Sequence, residues 1–295
     1  MGTTVKSFSN RAVVAMNRVE RADRKMRRGL NKSLGVFGRL GVGISGLVIG
    51  REILNANVQL DENLKSLSAI TGVTGDAFKA YEKQIDKVSK SQRVFAGDTA
   101  KAFEVVGSAQ PELLANADAL GKVTDAVITL SKASGEELAP SAQYLTGVMN
   151  QFSLEADQAT RAMNVVADAS VVGDTKISQT AEAFKVAGSE AKMSGLDIEQ
   201  LSGSIATLSK FGFKGAEAGT KLRNVLAKMS QGEALPKEAL TRLKKAGVNI
   251  DLISDKTVPY MARMKELSKI SNDSAALTKM FGTENKAVAA ILLNN

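Results

Sequence analysis

The sequence predicts a mainly α-helical protein: a helical-hairpin core with an internal duplication, preceded by a basic amphipathic N-terminal helix. Three observations carry that prediction. First, the chain repeats itself. Thr99–Gln110 reads TAKAFEVVGSAQ and Thr180–Ala191 reads TAEAFKVAGSEA. TLSK at Thr129–Lys132 returns at Thr207–Lys210, a glycine follows each copy (Gly135, Gly215), and each copy closes on a helix-like run, Tyr144–Met149 and Asn224–Met229. Self-similarity decides architecture before local propensity does. Two copies with a drifting offset read as a duplicated helical hairpin rather than an open solenoid. Second, apolar residues recur at steps of three and four, and glycines 72, 75, 135, 173, 195 and 215 punctuate the joints. Third, charge is segregated. Residues 1–51 hold eleven basic and two acidic residues, whereas the remainder is close to neutral within a total net charge of +8. A neutral body with a cationic arm points to a polyanionic or membrane partner for the arm alone.

The elements follow in order. Residues 1–33 form the basic amphipathic helix: Val5, Phe8, Ala12, Ala15, Val19, Ala22, Met26 and Gly29 alternate steps of three and four, with arginines on the other faces. Such a helix docks on the protein's own body, bundles with another helix or binds a polyanion. Residues 34–57 are a Gly-rich apolar segment. Its uncharged run, Leu40–Gly50, falls short of the roughly 20 apolar residues of a spanning helix. It reads as a buried joint or a site of close helix contact, in protein or transiently in lipid. Gly41–Gly46 matches G-x-G-x-x-G, but no strand leads into it and no βαβ unit follows, so it predicts no dinucleotide site.

From 58 to 295 the chain predicts an α-helical core whose duplicated unit spans about 98–150 and 179–230. Asp98 is a candidate N-cap for Thr99–Ala109. Leu113–Ala133 continues the helical spacing. Ser134-Gly-Glu-Glu137 has the form of a capping box, with Pro140 placing the regular helix start nearby. Helices are expected over Leu154–Ala169, Ile177–Lys192, Ile198–Phe211 and Glu217–Met229, with Asp197 and Gln200 as an N-terminal capping pair. Val248–Ile253 is the one good strand candidate, and a last helix covers roughly Glu284–Leu293. Its apolar terminus suggests a chain that continues past Asn295.

The chain has no Cys, His or Trp. Disulfides, Fe–S clusters and the usual zinc and haem ligand sets are thereby excluded, and so is the commonest general base near neutrality. The adjacent acids Asp61/Glu62 and Glu136/Glu137 diverge on a helix and read as solvated helix ends. No serine sits in a G-x-S-x-G elbow. Phe103 and Phe184, equivalent in the two copies, read as core plugs. Only Phe8 interrupts the basic arm as an aromatic, so base stacking is not supported, although sequence-blind phosphate attraction is. The expectation is a protein with no enzymatic activity and with no catalytic, cofactor-binding or metal-binding residues.

From about Leu60 onward the ordered set of LSAITG (Leu67–Gly72), FAGDTAKAFEVVGSA, ALGKVTDAVITLSKASGEEL, SQTAEAFKVAGSEAKMSGLDIEQLSGSIATLSK, GAEAGTKLRNVL, KKAGVNIDLISDK and MFGTENKAV resembles the core of bacteriophage tail tape measure proteins. Ala218–Arg223 is similar to that family's A-G-T-x-L-R string. The resemblance implies a structural virion protein whose helical length sets tail length, scaffolds the tail tube and leaves ahead of DNA at ejection. It implies tail tube and tail tip or baseplate proteins and tail assembly chaperones as partners, with self-association through helices. It places the protein in the tail tube lumen or tip, and in the host cytoplasm during assembly. The chain is far shorter than typical full-length members. The alternative is a membrane-active helical protein, pore-forming or injected, with residues 1–57 meeting membrane or DNA.

Overall fold

Helix follows helix through residues 59–295, the part of the chain that this computed structural model describes, and no strand occurs among those residues. The expected N-terminal helix, the Gly-rich segment and the G-x-G-x-x-G string lie outside the described residues. The first described helix, α1, covers 59–71. Then come α2 (Lys79–Gln92), α3 (Ala96–Ala109), α4 (Ala117–Ser134), α5 (Leu138–Phe152), α6 (Ala159–Val172), α7 (Ile177–Met193), α8 (Ile198–Lys210) and α9 (Gly215–Met229). Five shorter helices complete the chain: α10 (Lys237–Lys245), α11 (Ile250–Ser254), α12 (Tyr260–Leu267), α13 (Ser274–Phe281) and α14 (Lys286–Asn294).

From α2 to α9 each helix packs on its neighbour in sequence and on the next but one. That rule generates two layers. The even layer is α2, α4, α6, α8 and the odd layer is α3, α5, α7, α9, with apolar side chains of both filling the space between. The result is four successive antiparallel hairpins in one continuous stack, the geometry of a short solenoid. The two sequence copies fall on α3 and α7, two hairpins apart within it. Phe103 and Phe184 are both 0% exposed, each between the layers, as the recurrence of a core plug requires.

Local chemistry explains most boundaries. Asn116 starts α4, its side-chain oxygen accepting from the Asp118 and Ala119 amides at 3.0 and 3.1 Å. Gly135 ends α4 at φ +71°, a left-handed turn that a side chain would strain. Asp197 and Gln200 form the expected reciprocal cap of α8, with Gln200 N donating to Asp197 at 2.7 Å and Asp197 N to Gln200 at 3.1 Å. Several expectations are corrected. Val248–Ile253 is not a strand: the Asn249 side chain caps Leu252 N at 3.1 Å and starts α11. Asp98 lies inside the first turn of α3, which begins at Ala96. Ser134 makes no capping box. Its hydroxyl accepts from Glu136 N within the turn, and α5 starts at Leu138. A 3-10 turn at Pro111–Ala115 precedes α4, and α6 starts at Ala159 rather than Leu154, after a 3-10 turn at Ala156–Gln158 where Glu155 N donates to the Gln158 side chain at 3.1 Å.

The helices approach closely where the sequence supplies glycine. A Cβ on Gly219 of α9 would lie 2.7 Å from the Ala183 carbonyl oxygen and 2.8 Å from Val186 Cβ on α7. The AGT string at Ala218–Thr220 is thus a packing device that lets α9 sink onto α7. Gly173 plays a similar part for α6 against α8: its φ is −81°, and a Cβ there would lie 2.8 Å from Ser209 Cβ.

Candidate functional site

No group of three or more His, Cys, Asp or Glu could hold a metal ion among the described residues. A depression between α5 and α7, lined by Gln143, Tyr144, Gly147, Val148, Gln151, Ala181 and Lys185, encloses about 170 Å³. Small-molecule sites usually need roughly 300 Å³ or more. Asp61 pairs with Lys65 at 2.6 Å on an exposed face, and Glu136 and Glu137 sit in the α4–α5 turn. No helix of the described residues is long and apolar enough to cross a membrane.

What the chain does build is a scaffold of repeated polar rungs. Within a layer, neighbouring helices run parallel, and side chains join residues 33 to 40 positions apart. In the even layer Gln84 donates to Asp118 at 3.1 Å, Ser91 to Asp125 at 2.9 Å and Gln92 to both Asp125 and Thr129 at 3.0 Å. Lys122 bridges Asp118 and Asp157 at 2.5 and 2.6 Å, tying α4 to the turn before α6. Arg161 grips Glu199 with two bonds of 2.7 Å, joining α6 to α8. The Arg161 guanidinium holds the Glu199 carboxyl below its ordinary range against the opposing effect of burial. In the odd layer Gln151 donates to the Lys185 carbonyl at 3.0 Å, and Gly188 leaves room for it.

Three lysines close the ends of these rungs. Lys132 donates to the Gln92 carbonyl at 2.5 Å, Lys214 to the Asp174 carbonyl at 2.5 Å and Lys192 to the Ser153 hydroxyl at 2.6 Å. Lys132 and Lys192 reach the C-terminal end of the preceding helix in their own layer, and Lys214, in the α8–α9 turn, reaches the turn just past the end of α6, where free carbonyls and the negative end of the helix dipole favour a cation. Sequence reasoning missed these residues, because a lysine near a turn carries no local mark of a partner about forty positions earlier.

The C-terminal helices close the stack. α14 packs on α8, and α13 and α14 on α9. One buried cation anchors them. Arg263 of α12 is 0% exposed; its Nη2 donates to the Ser194 carbonyl at the end of α7, and its guanidinium lies 5.9 Å from the centroid of the Tyr260 ring. Nε and Nη1 of Arg263 find no partner. Burial pushes the guanidinium below its usual range, and Tyr260 and Asp255 oppose that shift. Tyr260 in turn shares a hydrogen bond of 3.3 Å with Ser204 of α8.

Comparison with known proteins agrees with a structural part. The chain is 25% identical over 222 residues to a protein named tape measure protein from Pneumococcus phage Dp-1, an overlap of 75% of this chain and 18% of that one. The chain therefore spans less than a fifth of the length of the relative it matches. No solved structure matches it. Residues 82–290 match the family described as phage-related minor tail protein, a span that runs from α2 into α14 and takes in the hairpin stack together with the helices that close it. With most of its length in that match, the chain belongs to the phage-related minor tail protein family.

Proposed function

We propose that this chain is the folded core of a tail tape measure protein, a structural part of the phage tail with no enzymatic activity. The observation that supports it is the alignment of the rung-laced hairpin stack with the tail-protein family, beside a relative named tape measure protein. In this reading the whole protein sets tail length and scaffolds the tail tube during assembly in the host cytoplasm. It contacts tube, tip or baseplate proteins and assembly chaperones, occupies the tube lumen or tip, and leaves at DNA ejection. Self-association through helices belongs to the same reading.

A scaffold of this kind works by geometry. Rungs, clasps and glycine contacts fix the spacing of helices without a reactive centre, and so present constant outer faces to neighbouring proteins. The basic segment 1–57 supplies the contact with membrane or DNA. The test is mass spectrometry of purified particles together with deletion of the gene. The protein is expected in tails at a fixed stoichiometry, and its loss is expected to abolish tails of regular length. Normal tails without it would refute the proposal.

A further inference from the structure

We infer that the body formed by residues 60–295 is a closed bead that adds nothing to the measured length, so that the ruler lies in other parts of the protein. The inference rests on the tape measure reading and concerns which residues do the measuring. Stacked helical repeats extend only while their end faces can receive another repeat; a charged end face stops them. The exposed face of α2 carries Lys79, Glu82, Lys83, Asp86, Lys87 and Lys90. The exposed face of α1 carries Asp61, Glu62 and Lys65, with Ala69 and Ile70 exposed in its last turn. Helices inside the stack carry fewer: α5 has none, α6 only Arg161 and Asp168, and α4 four that are spent in rungs, although α7 also has four. The other end is closed by α12, α13 and α14 over α8 and α9, anchored through Arg263.

Length makes the same point. Four helices in a layer at 8–10 Å spacing span roughly 40 Å. The same roughly 150 residues in one continuous helix would span about 225 Å. To serve as a ruler the stack would have to open. Opening would expose Phe103 and Phe184 and pull α9 away from the Gly219 contact with α7. A unit folded so that each inner helix buries its face on neighbours in both layers counts hairpins, not residues, and both of its ends are stopped.

The experiment is insertion of an Ala/Glu/Lys-rich helical segment of about 20 residues into this protein in the phage, which would lengthen a ruler by about 30 Å. One variant places it between Thr74 and Gly75, the other after Gly212; both turns are exposed, and a Cβ on Gly75 or Gly212 meets nothing within 4 Å. Exposed turns tolerate insertion. Tail length is read by electron microscopy and the inserted protein by mass spectrometry of the same particles. Unchanged tails containing the longer protein are expected. Tails longer by about 30 Å would overturn the inference and leave the tape measure reading intact. Regular tails lacking the protein would overturn that reading instead. Loss of tails with both variants, each still melting like the parent when purified, would also overturn the bead, because its turns would then be occupied in the tail.

Discussion

Phe103 and Phe184 occupy equivalent places in the two sequence copies, and both are fully enclosed between the layers. Truncation of either to Ala is expected to cost about 3–5 kcal/mol, with the two values close to each other, as measured by urea unfolding. Glycines divide by surroundings. Gly219→Ala forces a Cβ against the Ala183 backbone and is expected to destabilise by about 1–3 kcal/mol. Gly147→Ala, in α5 with nothing within 4 Å, is expected to stabilise by about 0.4–1 kcal/mol; thermal melts of the pair check both signs. Asp168 on α6 is half-buried with no partner among the described residues, and burial raises its carboxyl above the usual value of 3.8. A raised carboxyl penalises folding when ionised, and the penalty fades as pH falls through the raised value. Asp168→Asn should therefore stabilise at pH 7 and have no effect at pH 3, by melts at the two values.

At the scale of elements, one capping pair expected from the sequence is present. Asp197 and Gln200 cap α8 reciprocally, and Asp197→Ala is expected to cost about 1 kcal/mol in thermal unfolding. Helix identity was legible wherever apolar spacing ran for three turns or more, as in α4 and α7. It failed at Val248–Ile253, where β-branched residues favour a strand locally. There Asn249 caps a short helix, and Val248, Ile250 and Ile253 are buried. The forty-residue hairpin period was hidden for a different reason. Rungs require complementary groups, not identical ones. Gln84–Asp118 in one place is answered by Arg161–Glu199 in another, so nothing repeats in the letters. Only at twice that period, where core plugs and close approaches recur, do residues echo. No residue pattern foretold the lysine clasps or the buried Arg263. Lys192→Met and Lys214→Met are each expected to cost about 0.3–1 kcal/mol by unfolding, the effect shrinking in high salt.

For the molecule as a whole, the acid side of the stability profile follows from the rungs and from similar pairs in the closing helices. Glu199, held low by Arg161, stands with Asp118, Glu238, Asp255 and Glu266, all shifted below their ordinary values by neighbouring donors or cations. A depressed carboxyl gives its full contribution above the unfolded value and loses it as pH falls through the folded one. The melting temperature is expected to hold through neutrality and fall below the usual glutamate value of 4.5, measured by circular dichroism. Because α2 to α6 rest mainly on near neighbours in the chain, a molecule drawn by that end would surrender its first hairpins in turn, while α7 to α9 stay held by the closing helices. Under tension it would yield as a staircase of small releases, a spool able to pay out through a narrow passage without ever presenting its whole interior at once.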